Sequence, residues 1–309
     1  MRESVSMLSL NSRKYFFMSL HIYKRKRELK NFKKVSIHMK KLIGVISILL
    51  VIITLSACGK QKEDSKKITV AASPAPHGDV FKKAKEEMKK KGYDLEVKEV
   101  NDYKVPNKLL DKGDVDANFF QHVPYLNAEK KMHGYKIEEL GKVFTTPMAV
   151  YSKKYKSLKE IPDGSTIYVS NNPAEEGRFL SFFVNEGLIK LKKGVKIENA
   201  KFEDIAENKK HLKFNNQQGA EFLPKTYKNG EGAAVIINSN YALDNGLKPS
   251  RDAIVMEDKS SPFANIVAVQ EGHKHDKKFQ TLLKVMQSKE IKDYIKKEYG
   301  DDVIPYENK

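Results

Sequence analysis

Apolar positions along this 309-residue chain fall into three regimes. Residues 1–38 are basic and show no periodicity. Leu42 to Leu55, LIGVISILLVIITL, is an almost unbroken apolar run, and the polar stretch GKQKEDSKK follows it after Leu-Ser-Ala-Cys. From Ile68 onward the pattern switches repeatedly between strand and helix periods. ITVAA (68–72) predicts a short buried strand, and Val80, Phe81, Ala84 and Met88 recur at helical spacing until Gly92 stops the helix. Tyr93, Leu95 and Val97 alternate as a half-buried strand does; PNKLLDKG predicts a short helix between Pro106 and Gly113; VDANFF returns to strand. A second unit shows a strand at TIYVS (166–170), a helix over 174–186 and the continuously apolar strand AAVII (233–237). IVAVQ (266–270) and amphipathic helices around Leu282, Leu283 and Met286, then Ile291, Tyr294 and Ile295, complete the chain. The repeated β-α-β order predicts mostly parallel sheets covered by helices on both faces, in two α/β lobes of about 90–110 residues.

The apolar run changes how the beginning of the chain is read. It starts after Lys40 and Lys41 and is shorter than the roughly 18–20 residues a spanning helix needs. A basic start, a short apolar stretch and small residues before a cleavage point describe a secretory signal. Leu55-Ser56-Ala57-Cys58 resembles the lipobox of bacterial lipoproteins, in which the cysteine is lipidated and becomes the first residue. The alternative is an uncleaved membrane anchor. Residues 39–57 are thus expected to be a signal peptide, Cys58 the lipidation site and 58–67 a polar tether. Residues 1–38 read as a non-native upstream extension, since Met39-Lys40-Lys41-Leu42 has the form of a signal-peptide start. Cys58 is the single cysteine, which excludes an internal disulfide and a multi-cysteine metal site.

The net charge of +17 would suggest a nucleic-acid partner, but its distribution argues otherwise. Of the 57 Lys/Arg and 40 Asp/Glu, the first 57 residues hold 12 and two, leaving 45 against 38 in the remainder. There Lys and Glu interleave as on a solvated surface, so no nucleic-acid partner is expected. Enzyme motifs are missing too: no G-x-S-x-G, P-loop, G-x-G-x-x-G or H-E-x-x-H is present. His273-x-His275 lies in the polar loop EGHKHDKK, where solvation explains it better than a metal. Neither catalysis, cofactor nor metal is expected.

The informative site is SNNPAEEGRF, Ser170 to Phe179, which leaves a strand and opens a helix. Asn171 or Asn172 can cap that helix, Pro173 suits its first turn, and Glu175 and Glu176 suit the positive end of its dipole. Arg178 lies about a turn further in. Free backbone N–H groups at a helix start favour anions, and an arginine beside them can grip a carboxylate through two parallel hydrogen bonds. A surface salt bridge is the alternative for Arg178. Asn238 and Asn240 follow one strand and Asn265 enters another, each able to orient a polar ligand or simply to serve a turn or cap. In DANFFQHVPY, Asp116 to Tyr125, strand alternation puts Phe119 and Phe120 on opposite faces. His122 and Tyr125 lie beyond the strand's C-terminal end, where open α/β sheets bind ligands.

Several long motifs occur together and in order: NDYKVPNKLLDKGDVDANFFQHVPYL, GKVFTTPMAVYSKKYKSL, NNPAEEGR, GLIKLKKG, INSNYAL and EDKSSPFANIVAV. With them the chain resembles the methionine-binding lipoprotein family (NlpA/MetQ), substrate-binding components of ABC importers, from about Ile68 to its end. The resemblance implies a type 2 periplasmic-binding-protein fold: two α/β lobes with mixed, mostly parallel sheets, joined by two crossover strands, with the ligand between them. Lobe 1 would comprise 68–150 and 262–309 and lobe 2 151–261, with crossings near Ala149–Lys153 and Glu257–Phe263. The family's aromatic cage falls on Tyr103, Phe120, His122 and Tyr125, its carboxylate-binding arginine on Arg178, and its polar orienting residues on Asn238 and Asn265. Phe119 stands where members often carry a small residue, and Ser170-Asn171-Asn172-Pro173 where they often carry Pro-Asn-Asp-Pro. The implied protein is a monomer lipid-anchored to the extracytoplasmic face of the cell membrane. It would capture L-methionine and deliver it to an ABC permease and its ATPase. A methionine-containing dipeptide such as glycyl-methionine is the alternative ligand, and a surface adhesin without a transport role is the alternative function.

Overall fold

The structure, a computed structural model, describes residues 66–258 and 263–307. Cys58, the signal peptide and most of the tether lie outside the described residues.

The chain first lays down β1 (Lys67–Ala72), α1 (Asp79–Lys90), β2 (Asp94–Glu99), α2 (Val105–Lys112), β3 (Ala117–His122), α3 (Val123–His133) and β4 (Ile137–Thr145). It then enters a second sheet with β5 (Ala149–Tyr151), β6 (Thr166–Ser170) and α4 (Glu176–Asn185). A small antiparallel pair, β7 (Ile189–Leu191) and β8 (Ile205–Asn208), precedes β9 (Lys213–Gln218), α5 (Leu223–Lys228), β10 (Ala234–Ile237), α6 (Ser239–Asp244) and β11 (Val255–Met256). The chain returns to the first sheet through β12 (Ala264–Gln270), followed by α7 (Lys277–Met286), α8 (Lys289–Tyr299) and β13 (Ile304–Pro305). Strand order is β13-β4-β12-β3-β1-β2 in the first sheet and β11-β5-β10-β6-β9 in the second.

The local signals act as the pattern predicts. Val80, Phe81, Ala84 and Met88 are the fully buried stripe of α1, and α2 ends on Gly113 at φ 76°, a left-handed position a side chain would strain. Each sheet is covered on both faces. On the first, α1, α7 and α8 bury Phe81, Leu282 and Ile295 on one side, and Leu110 and Leu126 from α2 and α3 fill the other. On the second, Phe179, Leu180 and Phe183 from α4 pack one side, and Leu223 and Tyr241 from α5 and α6 the other.

Two expectations change. Parallel pairing is confined to the β-α-β units: β1 with β2 and β3, and β6 with β9 and β10. β4, β5, β11 and β12, which flank the passages between sheets, pair antiparallel, as does β13. Both sheets are thus mixed, as the resemblance implies, but with four parallel pairings against five antiparallel ones they are not mostly parallel. The first passage also falls earlier than expected. Ala149, Val150 and Tyr151 are fully buried and already paired with β10 in the second sheet, so the crossing is Thr146–Met148 rather than Ala149–Lys153. The second passage spans 257–263, and only part of it is described.

Candidate functional site

Strand β3 runs through the middle of the first sheet, between β12 and β1, so all six of its residues are buried. Its alternation splits the aromatics. Phe119 turns into the core, with its ring centroid 5.4 Å from that of Phe81 and 4.8 Å from that of Phe144. Phe120 turns the other way, 5.9 Å from the Tyr103 ring and 5.8 Å from the Tyr125 ring. The strand stops at His122, which caps α3: its Nδ1 accepts a hydrogen bond from the Tyr125 backbone N–H at 3.2 Å. Pro124 sits in the first turn, where its missing N–H costs nothing. Tyr125 is thereby held beside the strand end, and its hydroxyl donates to the Tyr103 carbonyl at 2.9 Å. The Tyr103 hydroxyl in turn donates to Asn240 Oδ1 at 2.7 Å, joining the β2–α2 loop to α6.

His122 is held neutral. Burial, aided by the nearby positive charge of Arg178, lowers its pKa to about 3. Since Nδ1 accepts from a backbone N–H, the ring proton is on Nε2. The aromatic end of the site therefore carries no charge.

The charged part of the site is formed by Arg178 on α4. The surface salt bridge expected as its alternative is excluded, because Arg178 is only 6% exposed. Its fork is already engaged: Nε donates to Glu257 Oε1 at 2.7 Å and Nη2 to Glu257 Oε2 at 2.5 Å, with a further bond from Nη2 to the Thr146 carbonyl at 3.2 Å. Glu257 Oε2 also accepts the Met148 N–H at 2.9 Å, and the Phe263 ring lies 4.7 Å below the guanidinium carbon. Thr146 and Met148 belong to the first crossing, Glu257 and Phe263 to the second, so Arg178 is tied to both. Its remaining nitrogen, Nη1, faces Glu175 Oε1 at 3.7 Å. Burial opposes the guanidinium charge, but the Glu257 and Glu175 carboxylates more than offset it and its pKa is raised.

Asn238 and Asn265 complete the expected set. Asn238 occupies the N-cap position of α6, yet its side chain does not cap the helix. Its Nδ2 donates to Glu175 Oε1 at 2.7 Å, while its buried Oδ1 has no partner among the described residues. Asn265 pairs with His122 across β12 and β3 and is tied down at both ends of its amide: Oδ1 to His77 Nε2 at 2.8 Å and Nδ2 to Thr146 Oγ1 at 3.2 Å. All seven expected residues, Tyr103, Phe120, His122, Tyr125, Arg178, Asn238 and Asn265, line one cavity. The lining side chains lie close together and leave a free volume of about 20 Å³ between them.

The same cavity takes in Asn240, read in the sequence as able to orient a polar ligand, and residues given other roles or passed over: Gln121, Thr146, Asn172 and Glu175. Glu175 was expected only to complement the helix dipole, although its place three residues before Arg178 puts both on one helical face. Nothing local points to Glu257, 79 residues from the arginine it grips. The His273–His275 pair lies elsewhere, with the His273 ring 2.8 Å from Asp276 in an exposed loop. Among the described residues no cluster of His, Cys, Asp and Glu could hold a metal ion, and no helix is long and apolar enough to cross a membrane.

The NlpA lipoprotein family profile matches residues 68–307, nearly the whole described region. The chain belongs to the NlpA lipoprotein family. The methionine-binding lipoprotein MetQ of Bacillus subtilis is 44% identical over 272 residues, covering 86% of this chain and 99% of that protein. The crystal structure of a putative methionine-binding lipoprotein from B. subtilis superposes with a TM-score of 0.77 at 46% identity, over 79% of this chain and 99% of that one. A nutrient-binding protein from Burkholderia cenocepacia, solved bound to methionine, superposes with a TM-score of 0.73 at 40% identity, over 78% and 100%. The fold is therefore the two-lobed, mixed-sheet α/β architecture of these binding proteins.

Proposed function

We propose that this protein is a lipid-anchored, extracytoplasmic substrate-binding protein that captures L-methionine and passes it to an ABC permease driven by its ATPase. The observation that carries the reading is the mixed lining of the cavity. Its lining combines uncharged rings, Tyr103, Phe120, Tyr125 and neutral His122, with Arg178 and Glu175 and the amide groups beside them. A thioether suits the rings, since sulfur–aromatic contacts contribute about 0.3–1.5 kcal/mol each. A zwitterionic α-carbon suits the charged and amide groups. The methionine-binding relatives support the same ligand. Burial of the lining residues fits capture by lobe closure, a hinge motion in which ligand is shut away from water. Anchoring would come from lipid on Cys58; a single acyl chain binds membranes only marginally, so more than one is expected.

Calorimetric titration of the purified full-length protein with L-methionine tests the proposal, with glycyl-methionine as comparator. Methionine is expected to bind and the dipeptide to bind less tightly; the reverse order replaces the ligand, and no binding by either removes the function. Arg178→Ala should weaken methionine by roughly 10- to 100-fold, the scale of a lost charged hydrogen bond. Unchanged affinity would take Arg178 out of the site.

A further inference from the structure

Glu175 stands out as a buried carboxylate whose charge its surroundings do not balance. It is 2% exposed. Its Oε1 accepts from Asn238 Nδ2 at 2.7 Å and its Oε2 from the Ser170 hydroxyl at 3.3 Å, both neutral donors. The nearest cation is Arg178, but the guanidinium nitrogens Nε and Nη2 are bonded to Glu257, and Nη1 stays 3.7 Å away, beyond hydrogen-bonding distance. The buried set of Glu175, Glu257 and Arg178 thus holds two carboxylates against one guanidinium. An incompletely paired buried charge is costly, and burial accordingly raises the Glu175 pKa even though Arg178, Asn238, Ser170 and Asn172 pull it down.

A second feature points the same way. The Asn238 amide that donates to Glu175 leaves its own Oδ1 without a partner, in a residue 7% exposed that lines the same cavity. A buried acceptor of this kind is expected to be satisfied by something that donates. Glu175 and Asn238 together present acceptor oxygens and surplus negative charge to one place. An ammonium group, with three donors and no acceptor, is the complementary chemistry.

We propose that Glu175, with Asn238 Oδ1, forms a receptor for the free α-ammonium group of the bound amino acid and so makes that ammonium a condition of tight binding. This rests on the amino-acid reading of the cavity given above. It assigns the zwitterion's two charges separately: carboxylate to the Arg178 side, ammonium to Glu175. It also separates free amino acids from compounds whose α-nitrogen is acylated or replaced by oxygen. Such ligands leave Glu175 buried and unpaired, and a site built around a hydrogen-bonded group discriminates strongly against analogues that lack it.

The test crosses protein and ligand changes in the full-length chain by calorimetry. L-Methionine is compared with 2-hydroxy-4-(methylthio)butanoate, which carries a hydroxyl where methionine carries its ammonium. The wild type should prefer methionine by at least about tenfold, the scale of a charged hydrogen bond. Glu175→Gln keeps the shape and an acceptor for Asn238 while removing the charge. It should lose about tenfold or more for methionine and less than about threefold for the hydroxy acid. Asn238→Ser should weaken methionine more than the hydroxy acid and serves if Glu175→Gln does not fold. Equal losses for both ligands, or no loss for either, overturn the ammonium receptor while leaving methionine binding intact. Failure of the wild type to bind methionine overturns the functional reading and this assignment together.

Discussion

Glu257→Gln probes whether the arginine of the site is held in readiness by a partner that ligand can replace. Glu257 accepts three hydrogen bonds, two from Arg178 and one from the Met148 N–H, and its side chain is 10% exposed. Glutamine fills the same space but turns one acceptor into a donor facing the guanidinium, and removes the charge that offsets it. Breaking a buried pair from one side costs roughly 3–5 kcal/mol. Glu175, 3.7 Å from Nη1, still compensates part of the arginine charge, which places the cost near the lower end, about 3 kcal/mol. In a domain of this size each kcal/mol moves the midpoint by about 2–4 °C, so Tm should fall by about 6–12 °C. Differential scanning fluorimetry with and without saturating methionine measures this directly. The ligand-induced rise should be larger in the variant than in the wild type, because a ligand carboxylate then supplies the missing counter-charge and stabilises only the folded state. An unchanged Tm without ligand refutes the structural pairing. A lowered Tm with no larger response to methionine refutes the idea that ligand and Glu257 serve the same guanidinium.

Two further outcomes follow from the packing and the titration of buried groups. A Cβ at Gly177 would lie 2.0 Å from the Ile197 carbonyl oxygen and 3.2 Å from the Ala200 nitrogen, both backbone. Gly177→Ala should therefore cost at least about 2 kcal/mol in urea denaturation and weaken methionine binding by shifting Arg178; a neutral variant would show that this approach is not as tight as described. Acid should destabilise the protein through His77 and His122, whose pKa values burial lowers to about 4 and about 3 from 6.5. Folded-state values below the unfolded one mean that this stability is present above pH 6.5 and is lost as pH falls towards the folded values, so at pH 5 each histidine costs about 2 kcal/mol. Glu175, with its raised pKa, acts in the opposite sense: its contribution is present below the unfolded carboxylate value and lost as pH rises through the folded one. Urea midpoints between pH 7 and 5 should fall, and His122→Asn, which keeps a helix-capping acceptor, should fall less steeply; a flat wild-type profile contradicts the burial argument.

Much of the cavity was legible because it is made from short segments whose rules are local. In ANFFQH alternation alone separates Phe119 from Phe120, and the strand end followed by Pro124 brings His122 and Tyr125 to the rim. The cap, the helix start and the dipole all point to the stretch around Arg178. The early placing of the first crossing was hidden because β5 is only three residues long and offers no period to read. The predominance of antiparallel pairing was hidden too, since those pairs join segments remote in sequence.

Periods of two and 3.6, glycine stops and proline starts depend on neighbours within a few residues. The amino-acid sequence therefore determined by itself the longer periodic elements such as β1, α1, β3, β6, α4 and β10, and, through its family motifs, the two-lobe architecture. Only the tertiary structure decided which charges meet. Arg178 finds Glu257 79 residues away, Tyr103 finds Asn240 at 137 and His77 finds Asn265 at 188. Those partners are chosen by where two sheets and two crossings bring distant chain together. Burial then turns a helix-start glutamate into an underpaired carboxylate and keeps a histidine neutral.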